Sequence, residues 1–86
     1  MKAMAVNHHN ILLVHTEDGI FALADECSHD SEPLNSGRLK GNQLICTRHG
    51  ARFDVKSGAV LAPPAVVGVD SYEVRIDNSD IYVLIV

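Results

Sequence analysis

Ile11-Leu12-Leu13-Val14-His15-Thr16-Glu17-Asp18-Gly19-Ile20-Phe21-Ala22-Leu23-Ala24 consists of two apolar, β-prone runs around an Asp-Gly pair. Such a pair between apolar runs is a strong hairpin signal, because both positions of the tight turn need φ > 0. The rest of the chain repeats the pattern in both directions. Upstream, Lys2 to Val6 predicts a short strand turning at Asn7-His8-His9-Asn10. Downstream, Gly41-Asn42 leads into Gln43-Leu44-Ile45-Cys46, and Lys56-Ser57-Gly58 separates Ala51–Val55 from Ala59–Leu61. Tyr72-Glu73-Val74-Arg75-Ile76 alternates with period two, which gives one buried and one wet face. Ile81-Tyr82-Val83-Leu84-Ile85-Val86 is continuously apolar and predicts a strand covered on both faces. Nowhere do apolar residues recur at helical spacing over three turns. The expectation is an all-β fold, an antiparallel sandwich or barrel.

Residues 25 to 42 break this rhythm. Asp, Glu, Ser, Asn, Gly and Pro dominate there, so the segment reads as loop, with one helical turn expected at Ser31-Glu32-Pro33-Leu34. Ala62-Pro63-Pro64-Ala65 cannot be a central strand, since proline lacks the ladder donor.

The chain has 86 residues, enough for one domain, taken as 1–86. A domain of this size has a thin core and often gains stability from a bound metal or disulfides. The net charge of −4 comes without any Lys/Arg cluster, which argues against nucleic acid as a partner. A mildly acidic surface suits a positively charged protein patch, or simply keeps the domain soluble. No apolar run reaches the length of a membrane span. The opening Met1–Val6 run is too short for the core of a signal peptide, so the expected location is cytoplasmic. Two cysteines in that setting favour a metal or redox role over a disulfide.

The chemistry is concentrated in Cys27-x-His29, a gap of sixteen residues, and Cys46-x-x-His49. Cysteine and histidine are soft-to-borderline metal ligands, and each pair lies in a turn-rich segment between strands. Either cysteine alone reads as a plain thiol or half of a disulfide, but two matched pairs point to a metal. Spacing leaves two readings open. One is a single tetrahedral zinc, and the other a two-iron cluster with histidine on one iron. The mixed Cys-His order is not the commonest zinc-finger order, which favours the cluster modestly. His8, His9 and His15 read as surface or turn residues, and Tyr72 and Tyr82 as packing residues.

Cys27-Ser28-His29 and Cys46-Thr47-Arg48-His49-Gly50 resemble the two ligand boxes of Rieske proteins. The likeness extends through Ala51-Arg52-Phe53-Asp54-Val55-Lys56-Ser57-Gly58, and upstream through Asp18–Leu23. It implies a Rieske-like antiparallel β-sandwich or barrel, with a cluster-binding subdomain of two loops at about residues 25–65. It implies a [2Fe–2S] cluster with Cys27 and Cys46 on the inner iron and His29 and His49 on the outer one. Pro63-Pro64 matches the family loop that shields the cluster, and Asp54, after the second box, resembles a common family residue and is expected to brace the loop by hydrogen bonding. The implied function is a one-electron carrier rather than an enzyme, with redox partner proteins such as a flavin reductase and an oxygenase. The alternatives are a Rieske small subunit of an oxidoreductase complex and a zinc-stabilised β-domain.

Departures from the family refine this expectation. High-potential members carry an extra cysteine in each loop, where this chain has Glu32 and Arg48. They also donate hydroxyl hydrogen bonds to the cluster from positions matching Ala51 and Phe53, neither of which can donate. Losing such bonds destabilises the more negative reduced state, so the expected potential is at the low end of the Rieske range. The chain also starts one strand later than the family pattern. That predicts an uncovered sheet edge near Ile81 to Val86, and a homodimer through it as a hypothesis.

Overall fold

The computed structural model describes residues 1–26, 33–46 and 50–85. Nine strands run in chain order: β1 (Lys2–Val6), β2 (His9–Thr16), β3 (Gly19–Ala24), β4 (Arg38–Lys40), β5 (Gln43–Ile45), β6 (Arg52–Asp54), β7 (Val60–Ala62), β8 (Ser71–Asp77) and β9 (Asp80–Leu84). A single 3₁₀ turn, Leu34–Ser36, precedes β4. The strands form two antiparallel sheets, β1-β2-β3-β8-β9 and β4-β5-β6-β7. The second sheet is inserted in the chain between β3 and β8.

Local sequence explains most of the turns. Asn7-His8 and Asn78-Ser79 each close a two-residue hairpin with both φ values positive, from 48° to 73°. Asparagine tolerates this region, and the resulting turn matches the twist of paired strands. The β2–β3 hairpin differs from expectation by one residue. Its register pairs Thr16 with Gly19, so Glu17 and Asp18 form the turn, and Gly19 opens β3 at φ 135°. Thr16 Oγ1 accepts the Asp18 N–H at 3.1 Å, which stabilises the earlier turn. The helical turn also sits later than expected, starting at Leu34, while residues 31 and 32 lie outside the described residues.

The core lies between the sheets. Leu12, Val14 and Leu23 from the first sheet meet Leu44, Cys46, Ala51, Phe53 and Val55 from the second, with Leu34 and Ala65 closing the cluster. Leu12 lies opposite Leu23 in the β2–β3 ladder, so one face of that hairpin supplies its share. Each such aliphatic or aromatic side chain contributes about 1.5–3 kcal/mol by leaving water. Ile11 and Ala22, on the opposite face, are also buried, so the five-stranded sheet curls over its own second side.

Two sequence expectations change here. The strand expected to be covered on both faces is a sheet edge: among the described residues β9 pairs with β8 alone, and Ile81, Tyr82 and Leu84 are 43%, 51% and 41% exposed. Tyr82 is therefore not a core packing residue. The reason is the junction with the rest of the sheet. Only Ser71 and Tyr72 of β8 pair with β3, so the β8–β9 hairpin projects past the core. The alternation expected for Tyr72–Ile76 holds through Val74 and ends at Ile76, which is 58% exposed.

Candidate metal centre

Cys46 follows the last residue of β5, and its side chain is 4% exposed inside the shared core. The backbone turns back at once. Gly50 N–H donates to the Cys46 carbonyl at 2.8 Å, and Cys46 N–H donates to the Ala51 carbonyl at 2.8 Å. These bonds tie Gly50 and Ala51, just before β6, to Cys46 just after β5. Gly50 takes φ 78°, a left-handed value that glycine adopts without a Cβ penalty. Cys27, His29 and His49 lie outside the described residues.

The flanks of the first box are described, and they are tied down. Asp25 N–H donates to the Asn10 carbonyl at 2.9 Å. The Asp25 carboxylate accepts the Asn35 backbone N–H at 2.9 Å and its side-chain Nδ2 at 2.6 Å. The chain therefore enters and leaves the first loop at one clamp, ten residues apart in sequence. Just beyond, a Cβ added at Gly37 would stand 2.3 Å from the Ile45 carbonyl. The return of the first loop thus lies against the residue before Cys46. Sequence reading missed the Asp25–Asn35 clamp, since nothing in a loop of polar residues marks which two will meet.

A third segment joins them. After β7 the chain passes through a cis Pro63-Pro64 bond and buries Ala65 in the cluster that holds Cys46. Asp54, expected to brace the loop of the second box, braces the β6–β7 turn. Its carboxylate accepts the Ser57 hydroxyl at 3.0 Å and the Lys56 N–H at 3.2 Å. Lys56 in turn pairs with Asp18 at 2.9 Å, and Asn42 Nδ2 donates to the same carboxylate at 2.6 Å. The Lys56 and Asn42 hydrogen bonds and the Lys56 charge hold the Asp18 carboxyl below its usual range. This clamp links the β2–β3 turn to the β4–β5 and β6–β7 turns of the second sheet.

His8, His9 and His15 are exposed, as expected, and the His9 ring meets Tyr72 edge-on at 6.2 Å. Among the described residues no three metal-ligating side chains gather at one point.

The surroundings of Cys46 fit a thiolate-held inorganic group. The thiol is buried, forms no disulfide among the described residues, and shares one core cluster with the small side chains of Ala51 and Ala65. A soft sulfur donor in dry surroundings suits iron–sulfur chemistry, and zinc also accepts it.

Comparison with known proteins separates the two. The family model described as Rieske [2Fe–2S] domain matches residues 1–73, a span that includes both Cys-His boxes. The ferredoxin component of the naphthalene 1,2-dioxygenase/salicylate 5-hydroxylase systems of Ralstonia sp is 34% identical over 73 residues, covering 85% of this chain and 70% of that one. The ferredoxin component of the naphthalene 1,2-dioxygenase system of Pseudomonas putida is 32% identical over 75 residues, covering 87% and 72%. Among solved structures, the ferredoxin of carbazole 1,9a-dioxygenase from Nocardioides aromaticivorans IC177 superposes with a TM-score of 0.91 at 32% identity, over 95% of this chain and 81% of that one. A chain in the complex of reduced oxygenase and oxidized ferredoxin in carbazole 1,9a-dioxygenase gives 0.90 at 26% identity, over 96% and 86%.

Proposed function

The chain belongs to the Rieske [2Fe–2S] domain family, and we propose from that premise that it is the electron carrier of an oxygenase system, receiving electrons from a reductase and delivering them to an oxygenase. Its cofactor is the family's [2Fe–2S] cluster, which takes up and gives back one electron at a time. We assign the ligands to Cys27, His29, Cys46 and His49, and the cluster-binding part to about residues 25–65 of one domain spanning 1–86. The observation that carries this reading is Cys46, buried just after β5 and held by backbone hydrogen bonds to Gly50 and Ala51.

The chain's own residues have separate tasks. Cys46 supplies a thiolate from the interior side, where Ala51, Phe53 and Ala65 exclude water. Asp25 and Asn35 tie together the two flanks of the segment that carries the first box. The histidines, one per box, supply neutral donors in place of thiolates, which raises the potential above that of all-cysteine clusters. Ala51 and Phe53 offer no hydroxyl, which sets the potential low among Rieske centres. No helix among the described residues is long and apolar enough to cross a membrane. We place the carrier in the cytoplasm beside the oxygenase it serves.

The test is a visible spectrum of freshly purified protein with iron and sulfide analysis, before and after dithionite. Equal iron and sulfide, partial bleaching and an EPR signal on reduction are expected, and Cys46→Ser should abolish all of them. A colourless protein that takes up zinc, and no iron or sulfide on reconstitution, would sink this reading.

A further inference from the structure

Residues 34 to 37 reach the flanks of both Cys-His boxes. Asn35 meets Asp25, which stands two residues before Cys27. The Asp25 carboxylate accepts the Asn35 backbone N–H at 2.9 Å and its Nδ2 at 2.6 Å. Leu34 is fully buried in the cluster that holds Cys46. Gly37 lies so close to the carbonyl of Ile45, the residue before Cys46, that an added Cβ would stand 2.3 Å from it. Gly37 N–H donates to the Leu34 carbonyl at 2.9 Å, which holds this stretch in one tight turn. Asp25 is itself anchored to β2, since its N–H donates to the Asn10 carbonyl at 2.9 Å.

Both Asp25–Asn35 bonds are charge-assisted, and such bonds are roughly twice as strong as neutral ones. In sequence, Cys27 and His29 lie between the two residues. Without the clamp, bringing these ligands into place would cost loop-closure entropy. With it, the ends of the segment are already together before any ligand engages.

We propose that Asp25 and Asn35 are positioning residues for the first ligand box, and that residues 34 to 37 set its place relative to the second, a placement that rests on the ligand set proposed above. Neither residue belongs to that set. Releasing the cluster from the first box is easier once the clamp is open, so the clamp slows cluster loss. It also fixes how the first box presents its donors, so it shapes the electronic environment of the irons. Groups that orient metal ligands from outside typically carry about 10–100-fold in metal affinity. Asn35 is exposed, and water weakens its bonds, which places the effect near the lower figure.

The test is the rate at which a chelator bleaches the cluster-loaded protein, with the EPR g values of the reduced form as a second readout. Asn35→Asp sets a second carboxylate against that of Asp25, and Asp25→Ala removes the acceptor. Each should bleach about tenfold faster than the wild type, with shifted g values. The double variant Asp25→Asn/Asn35→Asp restores both bonds, the one between side chains with its direction reversed. It should return both readouts toward wild type, which a general loss of stability would not do. Asp18→Asn breaks a comparable clamp between turns that carry no proposed ligand, and should leave both readouts unchanged. If Asn35→Asp takes up no cluster, recovery of the cluster in the double variant supports the proposal, and its absence there overturns it. Wild-type bleaching and g values in Asn35→Asp overturn the proposal and leave the carrier reading in place, as does an equal acceleration by Asp18→Asn. A wild type that holds no iron and sulfide overturns both.

Discussion

Cys46 has to satisfy two demands at once: it closes the hydrophobic core at 4% exposure, and its sulfur is a proposed cluster ligand. The neighbouring Ala51 is fully buried and shares its loop. Ala51→Ser puts a hydroxyl where high-potential Rieske proteins carry one. A hydrogen bond worth about 1 kcal/mol more in the reduced state raises a one-electron midpoint by about 40 mV. A redox titration of the variant should show that rise, and an unchanged midpoint would mean that position 51 does not reach the cluster. Asp18 gives a second prediction, for stability against pH. Its carboxyl is held below the usual range by Lys56 and Asn42. The stabilisation is therefore present above the unfolded-state pKa and is lost as pH falls through the lowered folded value. Asp18→Asn should melt slightly below the wild type at neutral pH. The gap should close on acidification and narrow in high salt, because the pair is half exposed. Melting curves whose separation stays constant down to pH values well below the carboxylate range would contradict the clamp.

Among the elements, the hairpins were the most legible part of the chain. Asn-rich and Gly-containing pairs between apolar runs marked nearly every turn, because the backbone conformation needed there is a local property. The Asp18-Gly19 turn moved by one residue because the Thr16 hydroxyl offered a competing bond. Gly58 shows what local reading leaves out. Its φ of 78° suits a turn glycine, but a Cβ there would also stand 2.0 Å from the Val69 carbonyl. Val69 N–H donates to the Gly58 carbonyl at 2.8 Å, so this glycine docks the segment leading into β8 onto the β6–β7 turn. Gly58→Ala should cost more than about 1 kcal/mol, from backbone strain and the close approach together. Urea unfolding would measure it, and a neutral result would show that the two segments separate easily.

Over the whole molecule, one core serves both sheets. Leu12 lies on β2, far in sequence from Cys46, yet belongs to the same buried cluster. Leu12→Ala should destabilise by about 2–5 kcal/mol. For 86 residues the whole folding free energy is roughly 4–13 kcal/mol, so that loss is a large fraction. The variant should also bleach faster at a fixed elevated temperature, because the wall behind Cys46 is loosened. Wild-type bleaching kinetics in a destabilised Leu12→Ala protein would show that the cluster loops are held without the distant sheet.

The sequence by itself determined the all-β class, the hairpin positions and the Cys-His pattern, because turn conformation, strand alternation and ligand spacing are properties of neighbouring residues. The metal that this pattern takes was not fixed by spacing, since zinc and iron accept the same donors; the family match resolved it. Only the tertiary structure decided that Asp25 meets Asn35 and that Asp18 meets Lys56, since those partners lie 10 and 38 residues apart and polar loops carry no pairing code. It also decided the fate of the most apolar strand. Ile81–Leu84 reads as buried on both sides, but only two residue pairs hold β8 to β3, and Ile81, Tyr82 and Leu84 stay largely exposed among the described residues. Burial depends on what the rest of the chain brings to a strand, and hydrophobicity along that strand does not contain it.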